Sequence, residues 1–178
     1  MCKIFVVLTA MLGLTMSLSA CGATHPPLKT VDYVNIQRFM GDWYVIACIP
    51  TSLEIGAYNA VESYRLDADG TIATTFTFRK GAFDGPLKTY KPRGFIVNTT
   101  TNSTWGMRFI WPLKAEYLIT YLTDDYTLTV VARNKRDYVW IMARKPEIPE
   151  ADYSRIVDMI KAQGYDTSKL IKVPQDWP

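Results

Sequence analysis

With 178 residues and 48% apolar side chains, the chain can bury one sizeable core but not two comfortable ones. Its formal net charge is +3 and its Lys and Arg are scattered, which argues against a nucleic-acid partner. The one His, His25, precedes every predicted element, so neither a His metal site nor His-based catalysis can be assembled in the domain that follows; no metal or cofactor is expected.

Met1 to Ala20 carries Lys3 and then an apolar run from Ile4 to Leu18. This is the composition of a secretory signal peptide rather than a membrane span, because it is short and a polar stretch follows it. Leu18-Ser19-Ala20-Cys21 resembles the lipobox of bacterial lipoproteins. That resemblance implies cleavage before Cys21, a diacylglyceryl group on its sulfur and acylation of the new amine. Several acyl chains meet the requirement for stable anchoring, at about 0.8 kcal/mol per buried CH₂. Gly22 stands where an Asp would resemble an inner-membrane retention signal, so a lipid-anchored place on the outer membrane, at its periplasmic face, is implied. Residues 1–20 thus read as a signal peptide, 21–30 as a tether extended by Pro26-Pro27, and 31–178 as the domain.

The domain opens with a short helical turn, predicted over Val31 to Phe39. Gly41 gives the backbone room for a sharp entry into a strand from Asp42 to Ile49, and Trp43 brings a large ring whose N–H needs a partner. Cys48 has no second Cys in the domain to pair with and reads as a small buried hydrophobe. Further strands are predicted at Tyr58 to Leu66, Thr71 to Arg79, Leu87 to Val97, Thr104 to Trp111, Tyr117 to Thr123, Tyr126 to Arg133 and Tyr138 to Ala143. Turn chemistry such as Asp67-Ala68-Asp69-Gly70 and Asn134-Lys135-Arg136-Asp137 separates them. After Arg144 the period changes. Pro149, Glu150 and Asp152 suit a helix start, Tyr153, Ile156, Val157 and Ile160 form one apolar stripe, and Gly164 ends it. Leu170 to Val173 is a candidate ninth strand.

Three pieces resemble the signatures of the lipocalins, in order and at the expected separations. They are Asn35-Ile36-Gln37-Arg38-Phe39-Met40-Gly41-Asp42-Trp43-Tyr44, then Thr123-Asp124-Asp125-Tyr126, then Arg144. The resemblance spans Val31 to Val173 and is strongest to the lipid-anchored lipocalins of bacterial outer membranes. It implies an all-β fold, an eight-stranded up-and-down antiparallel lipocalin barrel with a C-terminal α-helix packed outside. It also implies a closed end where Gly41, Trp43 and Arg144 are structural, with the Arg144 guanidinium across the Trp43 ring.

With Trp43 at the closed end, the meander puts the alternate connections around a mouth. Leu53, Ile55, Phe83, Leu113 and Lys114 are expected there as portal residues, apolar tips rimmed by charge. Strand phase supplies the cavity wall: Glu62 and Tyr64, Phe76 and Phe78, then Trp105, Met107, Phe109 and Trp111. In the next strand either face could turn inward, and the tyrosines, Tyr117 and Tyr121, are chosen. A deep apolar hollow with few polar groups is the general form of a small-molecule site. The leading reading is a binding protein that stores or transports a fatty acid or lysophospholipid in the cell envelope, with Lys114 and Tyr117 near the head group. One rival is a lipid-modifying enzyme, for which Glu62 lacks a visible partner and Asp124-Asp125 read as turn residues. The other is a structural envelope lipoprotein with a filled barrel. A homodimer remains open.

Overall fold

The computed structural model describes residues 25–110 and 112–177. Ten strands run β1 (Gly41–Ile49), β2 (Ala57–Leu66), β3 (Ile72–Lys80), β4 (Leu87–Tyr90), β5 (Arg93–Ile96), β6 (Thr104–Ile110), β7 (Leu113–Leu122), β8 (Leu128–Ala132), β9 (Val139–Ala143) and β10 (Ile171–Lys172). Two α-helices flank them, α1 (Ile36–Phe39) and α2 (Glu150–Ala162). β1 to β9 pair in antiparallel meander order, and β9 pairs back onto β1, which closes the barrel. β4 and β5 share one of its eight positions, both pairing with β3. The single strand expected over Leu87 to Val97 is therefore broken at Lys91-Pro92. Pro92 has no N–H to give to a ladder, and its carbonyl accepts from the Thr74 N–H at 3.2 Å instead.

Arg144 organises the closed end. Its guanidinium lies 3.8 Å from the centroid of Trp43. Nη2 donates to the carbonyls of Arg38 (2.8 Å), Phe39 (3.1 Å) and Met40 (2.9 Å), and Nη1 to that of Asp42 (2.7 Å). These are carbonyls at the end of α1 and the entry to β1, which the helix cannot satisfy itself. Gly41 sits under the same group at φ +92°, and a Cβ there would come within 3.4 Å of Arg144 Nη1. Phe39, Trp43, Trp105 and Tyr64 pack together above it, with Phe39 5.0 Å from Trp43 and 5.4 Å from Trp105 between ring centroids. The Trp43 indole N–H donates to Phe39 O at 2.8 Å, and that of Trp105 to Asn102 O at 2.7 Å.

α2 covers the outside of β8, β9 and the second half of β1. Ile156 and Ile160 are fully buried there against Val130, Ala132, Val139, Ile141 and Ile49. Those strands are buried on both faces, so they read as continuous apolar runs without alternation. Residues 26–34 do not hang free. Pro26 O accepts from Arg136 Nη2 (2.7 Å), Leu28 N–H donates to Asn134 Oδ1 (2.7 Å), and Val31 N–H to Ile119 O (3.0 Å). The stretch expected as a tether is thus docked from Pro26 onward, because its backbone finds partners on the barrel. At the other terminus β10 pairs with Ala47 and Cys48, where β2 has left β1. Gln175 Nε2 donates to Val45 O (2.8 Å) and Ala60 O (3.3 Å), beside the register shifts in β1 and β2.

Replacing Arg144 with Leu should remove a half-buried cation–π contact, worth about 1–2 kcal/mol, and the charge-assisted hydrogen bonds to four carbonyls, two of them partly buried. A loss of about 2–4 kcal/mol in urea unfolding is expected, with ligand affinity nearly unchanged. An unaltered unfolding midpoint would contradict this role.

Candidate ligand cavity

A cavity of about 230 Å³ occupies the barrel above the closed-end aromatics. Its walls carry Phe76, Met107, Val131, Trp140 and Met142, and its mouth lies among Leu53, Phe109, Arg133 and Tyr138. Register explains the depth. Glu62 stands opposite both Trp43 on β1 and Phe76 on β3, so the cavity begins at the level just above the plug. Tyr117 stands opposite Trp105 and stacks on it, with centroids 5.1 Å apart.

Among the residues expected to line the cavity, Glu62, Tyr64, Phe76, Met107, Phe109 and Tyr117 do face it. Phe109 is at the mouth and 54% exposed. Trp105 is buried beneath the floor, and Phe78 is buried behind Phe76 and Tyr90, at 5.2 and 6.1 Å between centroids. Tyr121 is on the outside, its ring 5.3 Å from the Arg155 guanidinium of α2. A register shift between Ile119 and Tyr121 inverts the phase of β7, so two residues two apart no longer share a face. Trp111 and Cys21 lie outside the described residues.

The portal residues divide in the same way. Leu53 lines the mouth, whereas Ile55 and Phe83 are on the rim, Phe83 packing edge-on against Tyr58 at 5.0 Å. Leu113 is 74% exposed. Lys114 does not serve the mouth. Its Nζ lies 4.0 Å from the Phe95 centroid on the outer wall, over the bare backbone of Gly106. The cation that reaches the cavity is Arg133, whose Nη1 is 3.2 Å from Asp137 Oδ2 and whose guanidinium lies 5.3 Å from the Tyr138 ring. Arg133, Tyr138, Trp140 and Tyr90 were not singled out from the sequence; β8 and β9 are apolar on both faces, so alternation there does not mark the inward side chains.

Three carboxyl residues line the cavity, Glu54, Glu62 and Glu116, the last accepting from the Asn134 N–H and side-chain amide at 2.6 Å each. Glu54, in the β1–β2 loop, accepts from the Trp140 indole N–H at 2.6 Å and the Thr51 N–H at 2.8 Å, which folds that loop over the mouth. Glu62 accepts from Tyr64 Oη at 2.5 Å, and Tyr64 Oη lies 2.7 Å from Tyr117 Oη. Burial pushes the Glu62 carboxyl up from about 4.5 to about 7; the Tyr64 hydrogen bond opposes this and the Glu54 charge adds to it. Burial, reinforced by the Glu62 charge, likewise holds both phenols well above 10. Cys48 is buried in the same core and its thiol is pushed up by burial, as expected of an inert packing residue.

A family model, the lipocalin-like domain, matches residues 34–175. The chain belongs to the lipocalin-like family. Among curated lipocalins it is 26% identical to the outer membrane lipoprotein Blc of Vibrio cholerae, over 97% of this chain and 98% of that one. It is 28% identical to temperature-induced lipocalin-1 of Arabidopsis thaliana, over 83% of each. The solved structure of insecticyanin from the tobacco hornworm Manduca sexta shares the fold, with a TM-score of 0.65 at 17% identity over 86% of each chain. Lipocalins bind small hydrophobic ligands, and the cavity of this lipocalin has the place and form for one.

The raised Glu62 carboxyl has a stability consequence of definite sign. Between pH 4.5 and about 7 the folded state holds a proton that the unfolded chain has released. Stability from this group therefore falls as pH rises through that window and is level above it. Glu62→Gln should stabilise the protein above pH 7 by up to about 3 kcal/mol and have little effect below pH 4.5, read from urea unfolding at the two extremes.

Proposed function

We propose that this lipocalin is a lipid-anchored carrier or store for a long-chain fatty acid or lysophospholipid in the bacterial envelope. The observation that carries the reading is an apolar shaft open at one end and sealed at the other by Arg144, Trp43 and Trp105. An acyl chain enters between Leu53 and Phe109 and lies against Phe76, Met107 and Met142. The head group stays at the mouth, where Arg133 offers positive charge to a carboxylate or phosphate. Tyr117, expected near the head group, belongs instead to the floor.

The anchor belongs to the same reading. Residues 1–20 are removed as a signal peptide, Cys21 is acylated, and the short stretch to Pro26 links the lipid to the barrel at the periplasmic face of the outer membrane. The lipobox-like Leu18-Ser19-Ala20-Cys21 and the similarity to proteins named outer membrane lipoprotein support this. Cys21→Ser should leave the signal uncut and deplete the protein from washed outer membranes; wild-type recovery there would refute the anchor.

Lipid extraction of the purified protein followed by mass spectrometry tests the binding reading, with co-purified acyl lipid expected. Phe109→Ala should weaken fatty-acid binding by roughly tenfold, since covering an aromatic ring with an alkyl chain is worth about 1.5–3 kcal/mol when complete and Phe109 is partly solvated. The same titration on Tyr121→Ala should match wild type. Equal loss in both variants, or in neither, would place the ligand elsewhere.

A further inference from the structure

A hydrocarbon chain does not account for the floor of the shaft. Tyr64 Oη donates to Glu62 Oε2, and Tyr117 Oη is within bonding distance of Tyr64 Oη. Each phenol has one proton to give. Once Tyr64 has committed its proton to Glu62, the Tyr117 proton goes to Tyr64, and the donors of the cluster are spent. Glu62 Oε1 receives no hydrogen bond from the described residues, and its side chain faces the cavity. The other charged groups on the cavity wall are engaged elsewhere. Glu54 is held by Trp140 and Thr51, Glu116 by Asn134, and Arg133 by Asp137 at the mouth. A methyl-ended chain that reached the floor would cover Glu62 Oε1 with hydrocarbon, and a buried polar atom without a partner is disfavoured.

Building on the lipid-binding reading above, we infer that Glu62 selects a ligand with a hydroxyl at the inner end of its chain. A hydroxyl suits the site because it donates to Oε1 when the carboxyl is ionised and accepts from it when protonated. When ionised, Glu62 repels a second carboxylate from the floor, and Arg133 at the mouth attracts it, which sets the polarity of entry: acid or phosphate outward, hydroxyl inward. The reach is sufficient. From Ala57 at the mouth end of β2 to Glu62 is at most about 17 Å of strand rise, less along the axis because β2 is irregular at Asn59 and barrel strands are tilted, which still admits a medium-length chain. Within the shaft the apolar walls reward any alkyl chain, so discrimination between chains falls to this one carboxyl group.

Titration calorimetry of the full-length protein with dodecanoic acid and with ω-hydroxydodecanoic acid tests the inference. Wild type should bind the hydroxy acid about tenfold more tightly, because a site built to bond a hydroxyl rejects the analogue that lacks it. Glu62→Gln, which keeps the shape and a bonding group, should retain a preference for the hydroxy acid. Glu62→Leu should reverse it. Wild type that binds both acids equally, or prefers the plain one, overturns the selection while leaving the binding reading intact. A folded Leu variant that keeps the wild-type preference overturns it too. If wild type binds neither acid, the binding reading falls and this inference with it.

Discussion

The structure depends on one guanidinium. Arg144 leaves the end of β9 and crosses under the barrel, where its donors meet four carbonyls between Arg38 and Asp42 while its face covers Trp43. The chain there is too tightly turned to satisfy those carbonyls internally, and a Lys could not reach them all with a compact ammonium. Because those carbonyls are satisfied by one planar side chain, the space directly above can be filled by rings. Phe39, Trp43, Trp105 and Tyr64 fill it. The closed end is therefore filled by side chains, and the usable cavity is pushed to the upper part of the barrel.

Regularity decreases from that end towards the mouth. β1 pairs with β2 only from Gly41 to Tyr44; beyond the shift near Val45 its free edge is taken by β10, and Gln175 bonds the carbonyls the shifts leave over. Among the described residues β4 pairs with β3 alone. Irregular pairing of this kind re-aims side chains, and here it lets Leu53, Phe109 and Arg133 converge on one opening. The polar cluster of Glu62, Tyr64 and Tyr117 is the conspicuous departure from an apolar core. Burial pushes its carboxyl up, and a fold that keeps such a group in its cavity departs from good packing at the place where a ligand would be read.

Much of this was legible in the residues. Gly41, Trp43 and Arg144 marked the base, the turns marked the meander, and the stripe of Ile156 and Ile160 marked the outer helix. Phase was dependable where one face of a strand is polar, as with Glu62 and Tyr64 on β2 or Phe76 on β3. It failed where α2 covers the outer face, because β8 and β9 are apolar on both sides and nothing in Val130-Val131 or Val139-Trp140 says which side chain turns inward. It failed again at Tyr121, since a register shift is a property of the pair of strands and not of either sequence. Lys114 was misplaced for a third reason. A long cationic side chain near a mouth lies wherever its stem finds cover, and the notch at Gly106 beside Phe95 gives that cover on the outside.

The two ends of the shaft divide the work of recognition. Apolar walls supply affinity in proportion to the area they cover, with little regard for what the chain is. Polar groups supply discrimination, because each must be matched or left unpaired in a place water cannot reach. At the mouth, Arg133 is already paired with Asp137 and backed by Tyr138, so an incoming anion must share a cation that is partly neutralised. That arrangement weakens the grip on any particular head group and accommodates several. At the floor, Glu62 has an oxygen with no partner among the described residues, in a layer closed beneath by Tyr64 and Trp105. A permissive mouth above a demanding floor means that selectivity is decided by the far end of the ligand, after most of its hydrocarbon is already inside.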